Sequence, residues 1–482
     1  MTLPNRRTFL GGLGAGMLAQ GASANSHAAS RAPKAIPSNI DELVTLVQKT
    51  PHDELLAKAM ELHALPNGPD WRDLLAAAFL AGVRDVEPRP VGFQFHCVMM
   101  TNSAFSIARR APANERLAAA LFNLDEFKRS QARDARNNDW SLPAAPATDI
   151  LDEVEATSLV TFALGNWDLD SADGASTALA NCASLDEAFE PLWWYALRDF
   201  TNIGHNPIFV AQSHRTLQHI GWRHGRDVMR SLVYGLLDGK PGAEDATFRS
   251  NNNRAAMLVL PTIDGSSRNG LDAIAAELQG GTTESASAAA ATALGKGLSL
   301  RALWDELRLF AAEQSWRDPG ILTAHAMTSI NALRYIAGKA TTAKVRSMAV
   351  LQAVAYQVLY RDFLSARGSY DSKVAGIDAI REAPAAPGAE AIFTAASANP
   401  REAAPLVMRT PTENMPQLMT QARHWLARKP RDAHDYKFAA ALLEEMQDAE
   451  PAVRKRMFAA SLGYLRKPGD RDHALWAMVS GK

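Results

Sequence analysis

Apolar residues recur at three- and four-residue intervals along almost all of this 482-residue chain. The segments "DELLAKAMELHAL", "WRDLLAAAFLAGV", "RLAAALFNLDEFKRS", "LRALWDELRLFAAEQ", "KVRSMAVLQAVAYQVLY" and "DYKFAAALLEEMQD" all carry that spacing. It places one apolar stripe on a helix and suits no strand. Abundant alanine adds helix propensity, and alternating Val/Ile/Thr runs are nearly absent. The pattern predicts an all-α fold, an array of stacked helix pairs around a shared core. Helix starts are expected at Asp53-Glu54, at Ser299, and at Asp318-Pro319, a cap followed by a first-turn proline. Composition predicts loops or linkers at 141–149, 238–254, 280–297 and 382–390, with a further loop between Gly265 and Gly270. The break at 382–390 divides a helical domain at 37–380 from a C-terminal helical segment at 390–482, expected to form a subdomain.

The first residues read as a leader rather than as fold. Arg6 and Arg7 form a twin-arginine pair ahead of a short Gly/Ala/Leu run, and Ala22-Ser23-Ala24 suits an A-x-A cleavage site. Residues 1–29 are therefore expected to be a twin-arginine signal peptide, recognised by the twin-arginine export machinery and leaving a periplasmic protein. No later stretch is apolar for long enough to span a bilayer. A net charge of −1 offers no basic face for nucleic acid, and no basic amphipathic helix suggests membrane binding. Cys97 and Cys182 are expected to be two buried thiols.

Three histidine helices carry the candidate chemistry. "FHCVMMTNSAFSIARR", "GHNPIFVAQSHRTL" and "AHAMTSINALRYI" each run from a His to an amide six or seven residues on, then to Ser or Ala, and then to an Arg. The members are His96 with Asn102 and Arg109, His205 with Gln212 and Arg215, and His325 with Asn331 and Arg334. The histidines are spaced by 109 and 120 residues, which reads as a long-period internal repeat. Arg198-Asp199 and Arg317-Asp318 precede two of them and read first as ion pairs or caps. Asn206-Pro207 reads as an N-cap and first-turn proline, which puts His205 at a helix N-terminus. The positive end of the dipole disfavours imidazolium there, and a neutral imidazole is what a metal ligand or general base requires. His96, His205 and His325 are the candidate metal ligands, with His205 and His325 also candidate acid/base groups. Arg215 and Arg334 are candidates to hold an enolate or carboxylate, and Trp193 and Trp194 to stack on a ring. His214 and His219 have no counterparts in the repeat and are expected at an interface or exposed. The bland reading of every one of these histidines is a packed, hydrogen-bonded residue.

H-E-x-x-H, C-x-x-C-H and G-x-S-x-G are absent, as is any glycine-rich phosphate loop outside the leader. A dinucleotide-binding domain is therefore not expected, while a metal ion or haem remains open. "LTAHAMTSINALRYI", followed by "AVLQAVAYQVLYRDF", resembles the questin oxidase-like family. The matching positions are His325, Ala326, Thr328, Ala332, Leu333 and Arg334, with Met327 in a valine place. "GHNPIFVAQSHRTLQHIG" is similar to the family's other histidine helix at His205, and the likeness spans roughly residues 90 to 370. The resemblance implies an oxidoreductase, a Baeyer–Villiger-type oxygenase acting on an aromatic or quinone-like small molecule. It carries no catalytic residues over to this chain. The alternative is a helical-repeat scaffold whose histidines are interhelical hydrogen-bonders. A site requires the histidines to converge, whereas a solenoid spreads them.

Overall fold

The structure is a computed structural model that describes residues 40–481 apart from 199–201, 241, 243, 262–264, 371–373 and 386. The leader, with Arg6 and Arg7, lies outside the described residues, as does Asp199. The fold is all-α, and no strand occurs among the described residues. No described helix is long and apolar enough to cross a membrane.

At the centre four helices form a ring: Thr101–Ala108, His205–Ile220, Ile321–Lys339 and Ala433–Asp448. Each packs against the next, and the fourth closes on the first. Most of their residues are buried, several charged ones included. Their direction follows from the bonds at their two ends. His325 meets His205 near the helix starts, while Arg215 meets Asn331 and Glu444 about ten residues further on. Residues early in one helix pair with residues early in the next, so the helices run parallel.

Other helices surround the ring. Trp71–Asp85 is buried almost throughout and is started by a reciprocal cap between Asp70 and Asp73. The long helix Ala113–Asn137 lies on it, and Ala343–Ala366 backs the His325 helix. Residues 390–482 do not stand apart as a subdomain. The described chain from Ile40 onward forms one compact unit, and Ala433–Asp448 supplies one of the four helices of the central ring.

Two segments read as linkers are helices. Thr283–Gly295 starts on the Thr282 side chain, which accepts from the Ser285 amide. Ala246–Met257 starts on Asp245. Gly, Ser and Asn content suggested loops, but a good N-cap together with alanine or a buried contact outweighed it. In the second helix that contact is Asn251, which donates to Gln352 at 3.0 Å. Asp318 terminates Leu300–Arg317 instead of starting the next helix, whose N-cap is Gly320. Cys97 is buried as expected, but Cys182 is exposed.

Candidate functional site

Four histidines meet at the start of the ring: His96, His205, His325 and a fourth, His434. Ring centres lie 4.6 Å apart for His205–His325, 5.3 Å for His96–His205 and 6.3 Å for His96–His325. His434 lies 4.3 Å from His96 and 5.2 Å from His325. Lys437 Nζ stands 2.9 Å from His96 Nδ1. His205, His325, His434 and Lys437 are buried. His96 is partly buried.

The hydrogen bonds fix where the lone pairs point. His325 Nδ1–H donates to the Ile321 carbonyl at 2.8 Å, which leaves Nε2 bare. His205 Nδ1 faces Asn202 Oδ1 at 3.3 Å. The Asn202 amide nitrogen donates to the Val91 carbonyl, so that oxygen is held as an acceptor. His205 Nε2 lies 2.9 Å from His325 Nε2, so the two rings are joined by a hydrogen bond when His205 carries its proton on Nε2. His434 Nδ1 faces the Asp432 carboxylate at 3.2 Å, and its Nε2 is buried without a hydrogen-bond partner. His325 and His434 thus share one arrangement, with Nδ1 on an oxygen and Nε2 turned to the cluster.

Burial, then Lys437 and the neighbouring histidines, hold His96 and His205 well below the ordinary imidazole value. For His325 burial comes first, then His205 and Lys437, with the same result. Burial and Lys437 also lower His434. Burial brings Lys437 itself down to about 7, the pull of Asp432 and Glu126 being too weak to restore it. At neutral pH the cluster is a set of neutral nitrogen donors.

Local backbone aims the cluster. Ile203, a β-branched residue, sits at φ 41°, and Gly204 follows at φ 76° as the N-cap. The turn is held by the Tyr360 hydroxyl, which donates to the Ile203 carbonyl at 2.9 Å. Such a conformation costs of order 1–3 kcal/mol and persists where the surroundings impose it. The helix thus begins at His205 itself, not at Pro207. Gly92, at φ 119°, backs the His205 ring so closely that a Cβ there would lie 2.6 Å from the imidazole.

At the other end of the ring the polar groups are paired. Arg215 makes two bonds to Glu444, at 2.8 and 3.0 Å, and one to Asn331 at 2.7 Å. Glu445, fully buried, accepts from Arg308, Arg334 and Asn331. Arg334 also reaches Asp448 at 2.8 Å. Between the two ends Asn102 donates to Gln212 at 2.6 Å. Arg215 and Arg334 therefore sit in an ion-pair network about 15 Å along the helices from the histidines, at 1.5 Å per residue, and not over them. Trp193 is buried against Phe189, His214 and Tyr335, and Trp194 packs on Phe248 beneath Lys344. Among the described residues neither indole touches the histidine cluster.

His214 is fully buried, contrary to its expected exposure. Its Nε2–H donates to Asp186 at 2.8 Å and its Nδ1 accepts from the Tyr335 hydroxyl at 2.7 Å. It is a satisfied core histidine, held down to about 4 by burial despite Asp186. His219 is exposed and stacks on Phe105. The repeat thus separates the converging histidines from the other two on the same helix.

Sequence reading missed His434, Lys437 and Gly92. A signal for His434 was present: it lies 109 residues beyond His325, repeating the first spacing, in "DAHDY" beside "TAHAM". No family model, no curated protein and no solved structure matches the chain.

Proposed function

We propose that the chain is an exported, metal-dependent oxidoreductase, an oxygenase of aromatic or quinone-like small molecules, with His96, His205, His325 and His434 as its metal ligands. The observation that carries this reading is the convergence of four imidazoles, three of them buried, with His434 Nε2 left without a partner beside the His205 and His325 Nε2 atoms 2.9 Å apart. A single shared proton or a metal ion can join the latter two nitrogens, and of these only the ion would serve His434 as well.

The donor set fits an ion. Imidazoles on one metal keep ring centres about 4.5–6.5 Å apart, given bonds of about 2 Å; the separations here run from 4.6 to 6.3 Å except His96–His434, which at 4.3 Å is too close as it stands. Nδ1–H on a carbonyl, an amide oxygen or a carboxylate is the usual support for a metal-binding His. Among the described residues no three His, Cys, Asp or Glu side chains stand in an arrangement that could hold a metal ion without rearrangement. His96 is the group out of place, because its Nδ1 is engaged by Lys437. Binding then requires a turn of that ring and a proton-free Lys437.

All-imidazole coordination without thiolate or carboxylate suits iron, copper or zinc rather than magnesium or calcium. Iron or copper would supply dioxygen activation. The chain's own part is to present neutral nitrogens, to exclude bulk water, and to keep in Lys437 an amine able to take or give a proton near pH 7. The resemblance of the His325 helix to questin oxidase-like proteins supports the substrate class. Retention of an Arg6→Lys/Arg7→Lys precursor in the cytoplasm tests export, and an unchanged periplasmic yield would refute it. Dioxygen uptake with an anthraquinone by metal-loaded protein tests the activity. Turnover should be lost in His325→Ala, and equal turnover in that variant would refute the assignment.

A further inference from the structure

A cavity of about 300 Å³ opens at the far end of the ring, lined by Arg109, Arg110, Arg215, Arg423 and His219, with Glu444 as its carboxylate. Glu444 is already engaged by both terminal nitrogens of Arg215. Arg110 reaches only Gln447, at 3.5 Å. Arg423 is 8% exposed, and among the described residues it has no hydrogen-bond or ion-pair partner. Its guanidinium lies in the middle of the helix Met415–Arg428, so no helix end accounts for it. Arg109 and Arg110, at the end of Thr101–Ala108, are partly explained by that helix's negative pole; Arg423 is not.

We propose that this cavity is a binding site for a small, multiply charged oxyanion, held by Arg423, Arg110 and Arg109, and separate from the histidine centre. A buried guanidinium carries five donors and a charge that nothing nearby neutralises, and a phosphate or polycarboxylate meets both needs at once. The surroundings already record the deficit. Burial, then the charge of Arg110, lowers Arg423 to about 10. The concentration of charge is local, because the chain as a whole carries a net charge of −1. His219 stands fourteen residues after His205 on one helix, about 21 Å along its axis. The Asn102–Gln212 bond and the Glu445 network lie between the two sites. The cavity's volume is that of a site for a small organic acid.

Titration calorimetry and thermal unfolding of the whole mature protein, with inorganic phosphate or citrate against chloride at matched ionic strength, provide the test. At least one oxyanion should bind and raise Tm by several degrees; a response to citrate alone assigns an organic acid, and to phosphate alone a phosphoryl group. Arg423→Met should melt higher than the parent without ligand, because an unpaired buried charge is gone, and should bind at least tenfold more weakly. Arg110→Gln should weaken binding likewise and serves as the test should Arg423→Met fail to fold. Arg346→Gln, exposed and remote, should bind as the parent does. No response to oxyanion beyond that to chloride would overturn the proposal, as would parental affinity in both Arg423→Met and Arg110→Gln. Metal content unchanged in Arg423→Met separates this result from the histidine reading.

Discussion

The two ends of the central ring are built on the same four helices and solve opposite problems. At the far end every buried charge of the Glu445 network has an opposite partner: Glu445 lies between Arg308 and Arg334, and Arg215 holds Glu444. At the histidine end His434 Nε2 has no partner, His205 and His325 meet only each other, and a buried lysine faces an imidazole instead of a carboxylate. The Glu445 network shows that these helices can pair buried charge; the histidine end gathers neutral donors instead.

The comparison can be broken first at its Glu445 end. Glu445→Ala removes the fully buried carboxylate that Arg308 and Arg334 share, leaving Arg308 with Asp305 alone and Arg334 with Asp448 at the surface. It should cost about 3–5 kcal/mol in urea unfolding. A loss under about 1 kcal/mol would show that this network is not what secures the ring.

The histidine end should show itself in the pH dependence of the metal-free protein. His96, His205 and His325 have folded values well below the unfolded one, so between those values the unfolded chain binds more protons. The histidines' contribution is whole above about pH 6.5 and falls below it, by about 1.4 kcal/mol per unit for each histidine, and Lys437, lowered by burial to about 7, adds a fall of the same sign from 10.5 down to that value. Glu126, raised by burial to about 7, works the other way with a single proton. Bound metal should raise that curve without changing its upper slope, because the folded histidines are already proton-free there, and should carry the fall to lower pH. No gain in stability on adding metal would count against the reading.

Gly92→Ala should cost about 1–3 kcal/mol, since its Cβ would strike the His205 ring at a φ that L residues avoid. It should also weaken metal uptake, and uptake at parental affinity would detach Gly92 from the site. The smallest effect is expected at His219→Gln. That residue shares a helix with His205, but substitution should leave metal content unchanged and stability within about 0.5 kcal/mol.

Much of this was legible in the sequence, and the limits have physical causes. Helical spacing is written into every long apolar segment, so the all-α fold followed from it directly. Thr283–Gly295 and Ala246–Met257 were misread because composition was allowed to outweigh a Thr or Asp cap. The repeat brought His96, His205 and His325 together and set His214 aside. Arg215 and Arg334 share the repeat's frame but not its end of the ring: nine or ten residues along a helix is about 15 Å, and a linear motif does not display that distance. His434 was lost behind a proline-rich break that looked like a boundary. Lys437 and Gly92 carry no local pattern; their roles arise only where the chain returns to the same place.

The most direct measurement is the metal content of protein purified without chelator, by mass spectrometry, for the parent and for His205→Ala, His325→Ala and His434→Ala. The account predicts about one iron or copper ion per parent chain, and none in the three variants, which remain helical by circular dichroism. A parent that neither carries nor takes up a transition metal, or variants that hold it as tightly as the parent, would make the four histidines packing residues and return the chain to the scaffold reading.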